Sequence, residues 1–243
     1  MTFALPVAAQ DRPAAAALTA AFESIAKADW AEATERAKPA GQIGKDLVEW
    51  HRLRAGEGTL GAYHTFLTDH ADWPGLVLIR RKGEGAMTAA TPPKEIIEYF
   101  ENRFPDSSHG VLQLARAYEA DGHAGDAAAG VVLAWRTFAL SKSGRNAFLA
   151  SYKDLLAPHH IARLDMLLWR GRFGDARRMY PLVSKDWQAL SEARIALRRK
   201  AGNVDTLIKA VPKPMQSDPG LAYERFLWRA KKGLSAGAVE LLL

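Results

Sequence analysis

Apolar residues recur along this chain with a helical period. Val111, Leu114, Ala115 and Tyr118 follow the i, i+3, i+4, i+7 rule, and Ala128, Val131, Val132 and Trp135 follow it again on the next segment. Two amphipathic helices are predicted back to back, joined at Asp121, Gly122 and His123, where Gly122 supplies the left-handed conformation that closes a helix. Further helix starts are predicted at Thr91 before Pro92, at Ser184 ahead of Trp187 and Leu190, and at Asp218 before Pro219. Each offers a side-chain oxygen to the first unpaired N–H groups of a helix. The apolar run Leu76, Val77, Leu78 and Ile79 is too short to build a sheet and fits a buried helix turn. An all-α protein is expected.

The predicted hairpins resemble one another. Residues 122–127 (GHAGDA) and 171–176 (GRFGDA) each place a glycine at a turn and an alanine five positions later; Ala28 with Ala33 and Gly233 with Ala238 keep that spacing. A small residue just past a turn lets two helices approach closely. The predicted turn residues are Ala28, Gly56, Gly83, Gly122, Gly171, Gly202 and Gly233, the last three spaced 31 apart. That interval lies near the roughly 34 residues of tetratricopeptide-type units. The uneven spacing elsewhere predicts a degenerate α-α superhelix, a tetratricopeptide-like solenoid of helix hairpins, with extra helices between Gly122 and Gly171. Residues 10–243 are assigned to this solenoid. Residues 1–9 are read as a signal-peptide remnant or a disordered N-terminus, because Val7, Ala8 and Ala9 before Gln10 fit the small-residue pattern of a signal-peptidase site. The run from Ala238 to Leu243 would leave a half-made helix with an uncovered apolar face, so the natural protein is expected to continue.

Composition narrows the chemistry. Cysteine is absent, which excludes disulfides and thiolate metal sites. No stretch approaches the roughly 18 apolar residues of a membrane span. The net charge of +6 is uneven: residues 1–158 hold 17 Lys/Arg against 19 Asp/Glu, and residues 159–243 hold 16 against 8. Such a surface attracts polyanions without naming one.

Candidate motifs point away from catalysis. Residues 56–61 (GEGTLG) match the dinucleotide fingerprint, but the preceding residues 47–53 read as helix, and Glu57 would oppose a pyrophosphate, so a helix–helix turn is expected. His159 and His160 are adjacent and diverge on a helix, whereas chelating pairs need i, i+3 or i, i+4 spacing; His64 and His70 share no face. Glu98 and Glu101 read as a solvated helix face. Aromatic and basic residues interleave from Trp187 through Arg194, Arg198, Arg199 and Lys200, and again from Tyr223 through Arg225, Trp228, Arg229, Lys231 and Lys232. Trp187, Tyr223 and Phe226 are expected to fill the core while the arginines project outward; a nucleic-acid or glycan surface is the alternative reading. No catalytic, cofactor-binding or metal-ligating residue is assigned, and no cofactor is expected.

Four stretches resemble the N-terminal superhelical region of soluble periplasmic lytic transglycosylases: residues 47–58 (LVEWHRLRAGEG), 72–76 (DWPGL), 162–171 (ARLDMLLWRG) and 222–233 (AYERFLWRAKKG). The likeness spans most of the chain, yet its motifs are packing and turn motifs. In that family a helical ring precedes a lysozyme-like catalytic domain, whose single Glu cleaves between N-acetylmuramic acid and N-acetylglucosamine and leaves a 1,6-anhydro end. The family's catalytic Glu is followed by Ser and, farther on, by Gly-Leu-Met-Gln. Glu23 and Ser24 offer the first element, but Gly-Leu-Met-Gln does not occur, so the catalytic role is not transferred. The resemblance implies a non-catalytic, substrate-guiding scaffold of a periplasmic, peptidoglycan-cleaving enzyme from a Gram-negative bacterium. Its implied partners are a glycan strand and a C-terminal catalytic domain outside this chain; nucleic acid is not expected. The competing reading is a free-standing tetratricopeptide-like adaptor that binds another protein in its groove.

Overall fold

A computed structural model describes residues 12–101 and 103–234. The chain is all-α, and no strand occurs among the described residues. The helices are α1 (Arg12–Ile25), α2 (Trp30–Ala37), α3 (Gly41–Ala55), α4 (Leu60–Asp69), α5 (Leu76–Ala86), α6 (Pro93–Phe100) and α7 (Ser108–Ala120). They continue with α8 (Ala124–Thr137), α9 (Lys142–Leu156), α10 (His160–Trp169), α11 (Phe173–Arg177), α12 (Lys185–Arg199), α13 (Val204–Lys209) and α14 (Pro219–Lys231). They fall into two compact units, one ending at Ala127 and the other beginning at Ala128. The signal-peptide reading of residues 1–9 and the apolar run from Ala238 to Leu243 lie outside the described residues.

In the first unit each helix packs on the next one or two in sequence: α1 on α2 and α3, α3 on α4 and α5, and α5 and α6 on α7. This sequential pairing is the packing logic of a helix-hairpin solenoid. Small residues set the closest approach at one end, where Ala21, Ala33, Ala37 and Val48 form a core of their own. Farther along, Leu53, Tyr63, Phe66, Ile79, Ile96, Tyr99 and Leu114 share a larger one. Leu76 and Ile79 enter it while Val77 and Leu78 stay exposed, so the apolar run is about one turn of a half-buried helix.

The second unit repeats the pattern, with α10 on α11 and α12, and α12 on α13 and α14. Trp135, Phe148, Leu164 and Leu167 are fully buried within it. Three helices, α8, α9 and α10, lie between Gly122 and Gly171, so α9 is the extra element there.

The spaced small residues are the clearest sequence signal. Gly122 and Gly171 are left-handed (φ 84° and 67°), and so is Ala28 (φ 57°). Ala33, Ala127 and Ala176, each five residues on, are at most 1% exposed. Three predicted positions behave differently. Gly83 lies inside α5, where a Cβ would overlap the Tyr99 hydroxyl and the Tyr63 side chain; it is a close-approach residue, not a turn. Gly202 is not left-handed, because Lys200 (φ 57°) already closes α12. Thr91 accepts from the Thr88 N–H at 2.9 Å, and Pro92 takes the cap position of α6. Asp218 caps α14 as expected, accepting from the Leu221 N–H at 2.7 Å, while Ser184 occupies the cap position of α12 without a side-chain hydrogen bond.

Candidate functional site

The motifs singled out from sequence resolve into structural features. Residues 56–61 join two helices: Gly56 (φ 103°) closes α3, and Thr59 caps α4 by accepting from the Ala62 N–H at 3.2 Å. An open cleft of about 900 Å³ runs beside this turn, lined mostly by small residues with Lys82 and Glu95 on its walls. His160 is buried against the Trp135 ring at 5.5 Å, and desolvation, then the neighbouring His159 and Arg163, pushes its pKa down. His64 faces Glu101 at 3.8 Å and His70 faces Asp46 at 3.7 Å, on separate sites. Glu98 pairs with Lys94 at 3.7 Å. Glu23 is exposed beside Arg36 at 3.7 Å, and the Ser24 hydroxyl donates to the Ala20 carbonyl at 3.5 Å.

The four resembling stretches meet in pairs, one pair in each unit. In the first unit, the Trp50 indole N–H on α3 donates to the Pro74 carbonyl at 2.9 Å, tying residues 47–58 to residues 72–76. The Trp50 and Trp73 rings stand edge to face at 6.5 Å, and the Arg54 guanidinium lies 4.1 Å from the Trp50 ring centroid. Phe66 and His70 support Trp73 at 5.5 and 4.9 Å. Gly75 (φ 74°) turns the chain beneath Arg54, where a Cβ would collide with the guanidinium. The result is a cavity of about 280 Å³ walled by Ile43, Leu47, Trp50, Trp73 and Pro74, with Asp72 as its single charged residue. Aromatic walls with few polar groups bind ligands that carry both an apolar face and hydrogen-bonding edges.

In the second unit, Trp169 on α10 and Tyr223 on α14 have ring centroids 5.2 Å apart and are 42% and 43% exposed. Arg198 holds the two stretches together, donating to the Trp169 carbonyl at 3.1 Å and pairing with the buried Glu224. Arg194 lies 5.1 Å from the Trp169 ring and donates to Asp165 at 2.6 Å, with Asp218 at 3.6 Å. An aromatic pair beside an arginine and a carboxylate therefore occurs in each unit, half-buried in the first and exposed in the second.

The expected outward arginines and inward aromatics are partly reversed. Arg194 is 2% exposed, whereas Tyr223 faces outward; Trp187 packs partly buried on the core of α12, α13 and α14, and Arg163, outside that run, is also buried at 1% exposed. The physical reason is local neutralisation: Asp165 and Asp218 from two other elements meet Arg194. Arg163 instead donates to the carbonyls of Trp135 and Phe138 at the C-terminal end of α8, where helix carbonyls are unpaired. Burial lowers the Arg163 pKa to about 10, with Asp175 pulling it up and Arg145 and Arg172 pushing it down. Glu84, 2% exposed, accepts from the Asp106 N–H at 2.6 Å and from the Ser107 hydroxyl at the start of α7, and desolvation raises its pKa. An arginine inside the apolar heptad-like run of α10 was the available signal for Arg163; nothing local marks Arg194 or Glu84.

Among the described residues, no group of three or more His, Asp or Glu side chains is placed to hold a metal ion, and no helix is long and apolar enough to cross a membrane. Compared with known proteins, the chain matches no family model, no curated protein and no solved structure.

Proposed function

We propose that this chain is the non-catalytic superhelical scaffold and substrate-guiding part of a periplasmic peptidoglycan lytic transglycosylase, whose full-length form cleaves glycan strands to 1,6-anhydro products. One observation carries the reading: the four resembling stretches converge in pairs, and each pair presents exposed or groove-lining aromatics beside an arginine and a carboxylate. The C–H face of a pyranose packs on an aromatic ring, and its hydroxyls find partners on the accessible flanking charges, Arg54 and Asp72 in the first unit and Asp165 in the second; both surfaces suit a polysaccharide. The basic excess of the C-terminal third adds attraction for the carboxylates of peptide stems, weakened by salt.

Sedimentation with purified sacculi tests the proposal. The chain is expected to co-sediment and to release no 1,6-anhydro muropeptides. Release of such products by this chain, or sedimentation no greater than that of a basic control protein of matched charge, overturns the reading.

A further inference from the structure

A further cavity lies in the second unit, lined by none of the residues of the Trp169–Tyr223 pair although it shares helix α14 with Tyr223. A cavity of about 240 Å³ opens between α12, α13 and α14. Its floor is apolar, made by Leu197, Val204 and Ile208 with the ring of Trp228. Its charged walls are cationic on balance: Lys209, Arg225 and Arg229 against Asp205 alone. The Lys232 ammonium adds a further positive charge 4.5 Å from the Trp228 ring. The Trp228 indole N–H is buried and has no acceptor among the described residues. Buried indole N–H groups nearly always have an acceptor, so this donor would gain from an anionic or carbonyl oxygen that reached it.

We infer that this cavity binds a carboxylate carried on a short aliphatic body. The apolar floor takes the aliphatic part, and Arg225 and Lys209 take the charge, Arg225 with the fork geometry suited to a carboxylate. A phosphate or sulfate lacks the apolar body that the floor would cover, and an uncharged alkyl group makes no use of the charges of Arg225 and Lys209. The volume admits a ligand of about ten to twelve heavy atoms, the size of a single acylated amino acid or a medium-chain fatty acid. The site stands independently of the glycan reading, since it shares no residue with either aromatic pair.

Calorimetric titration of the full chain with N-acetyl-leucine and with octanoate tests this, with N-acetyl-leucinamide and octanol as uncharged counterparts. At least one acid is expected to bind at least tenfold more tightly than its counterpart. Binding of N-acetyl-leucine alone identifies the end of a peptide as the source, and binding of octanoate alone identifies a free aliphatic acid. Arg225→Gln is expected to weaken acid binding at least tenfold, and Asp205→Asn, which removes the opposing charge, to strengthen it two- to fivefold. Both positions are solvent-accessible at the rim, and an unchanged circular-dichroism melt verifies that each variant is folded. Equal affinity for acid and counterpart, no binding of either acid at 10 mM (a ceiling of about 3 kcal/mol), or acid affinity untouched by both Arg225→Gln and Lys209→Gln overturns the inference.

Discussion

The guanidinium of Arg194 lies directly on the backbone of Gly220, so close that a methyl group there would overlap its Cζ, Nη1 and Nη2 atoms. Arg194 comes from the middle of α12 and Gly220 from the first turn of α14, and Asp165 of α10 completes the junction. A buried cation thus fixes the spacing of three helices whose sequence separation hides the relationship. Gly220→Ala is expected to destabilise the chain by about 3 kcal/mol, because overpacking and disruption of a buried ion pair act together. Replacing both, as Gly220→Ala with Arg194→Met, is expected to recover at least half of the loss. Urea unfolding midpoints measure both; a single-variant loss below about 0.5 kcal/mol shows that the helices separate without cost.

Among the described residues three other than glycine are left-handed, Ala28 and Lys200 at φ 57° and Glu101 at φ 45°. A Cβ in that conformation costs roughly 1 kcal/mol. Ala28→Gly and Lys200→Gly are each expected to stabilise the fold by about 0.5–1 kcal/mol, and Gly171→Ala to destabilise it by about 1 kcal/mol. At the paired position, Ala176→Leu is expected to cost about 1–3 kcal/mol through overpacking. Thermal melts of the four variants check the set, and its sign pattern matters more than any single value.

Acid acts on the two units in opposite directions. In the second, the His160 pKa is lowered from 6.5 by burial, so the unfolded chain takes up a proton first as pH falls. The stability from burying neutral His160 is full above pH 6.5 and is lost as pH falls through that value. In the first, the Glu84 pKa is raised above 4.5, so the folded chain holds a proton that the unfolded chain has released, and acidification toward pH 4.5 favours folding. His160→Gln is expected to flatten the stability profile between pH 7 and 5, and Glu84→Gln to flatten it on the acid side. Denaturant midpoints at half-unit pH intervals, read for wild type and both variants, separate the two effects. A His160→Gln profile parallel to wild type rules out this origin.

Trp50 joins the two resembling stretches of the first unit through its hydrogen bond to Pro74, and it also walls the apolar cavity. Trp50→Phe removes the hydrogen bond while keeping a ring, whereas Trp73→Ala removes a wall. Under the glycan proposal Trp73→Ala is expected to weaken binding to chitooligosaccharides about five- to thirtyfold, the 1–2 kcal/mol typical of a buried aromatic anchor. Trp169→Ala in the second unit is expected to do the same. Intrinsic fluorescence titration reads the affinities, and equal binding by wild type and both alanine variants removes the aromatic surfaces from recognition.

Local chemistry made much of this protein legible. The helical period over residues 111–118 and 128–135, and the turn residues Ala28, Gly122 and Gly171 with alanines five positions later, depend on a few neighbours and appear in the structure as written. The GEGTLG run was legible as a turn for the same reason, since the helix before it is visible in residues 47–53. What stayed hidden depends on distant partners. Gly83 looks like a breaker until Tyr99 packs over it, and Arg194 looks like a surface charge until Asp165, Asp218 and Gly220 surround it. Trp50 and Trp73 become one cavity only when α3 meets the turn before α5, and Lys209, Arg225 and Trp228 become another only when α13 and α14 close on α12. Backbone propensity and amphipathic period are written in adjacent residues, so the sequence by itself determined which segments are helices and where most of them turn. The neutralisation of a buried charge and the enclosure of a cavity require atoms far apart in the chain, so only the tertiary structure decided which charged side chains are inside and which aromatics line a cavity or stay exposed.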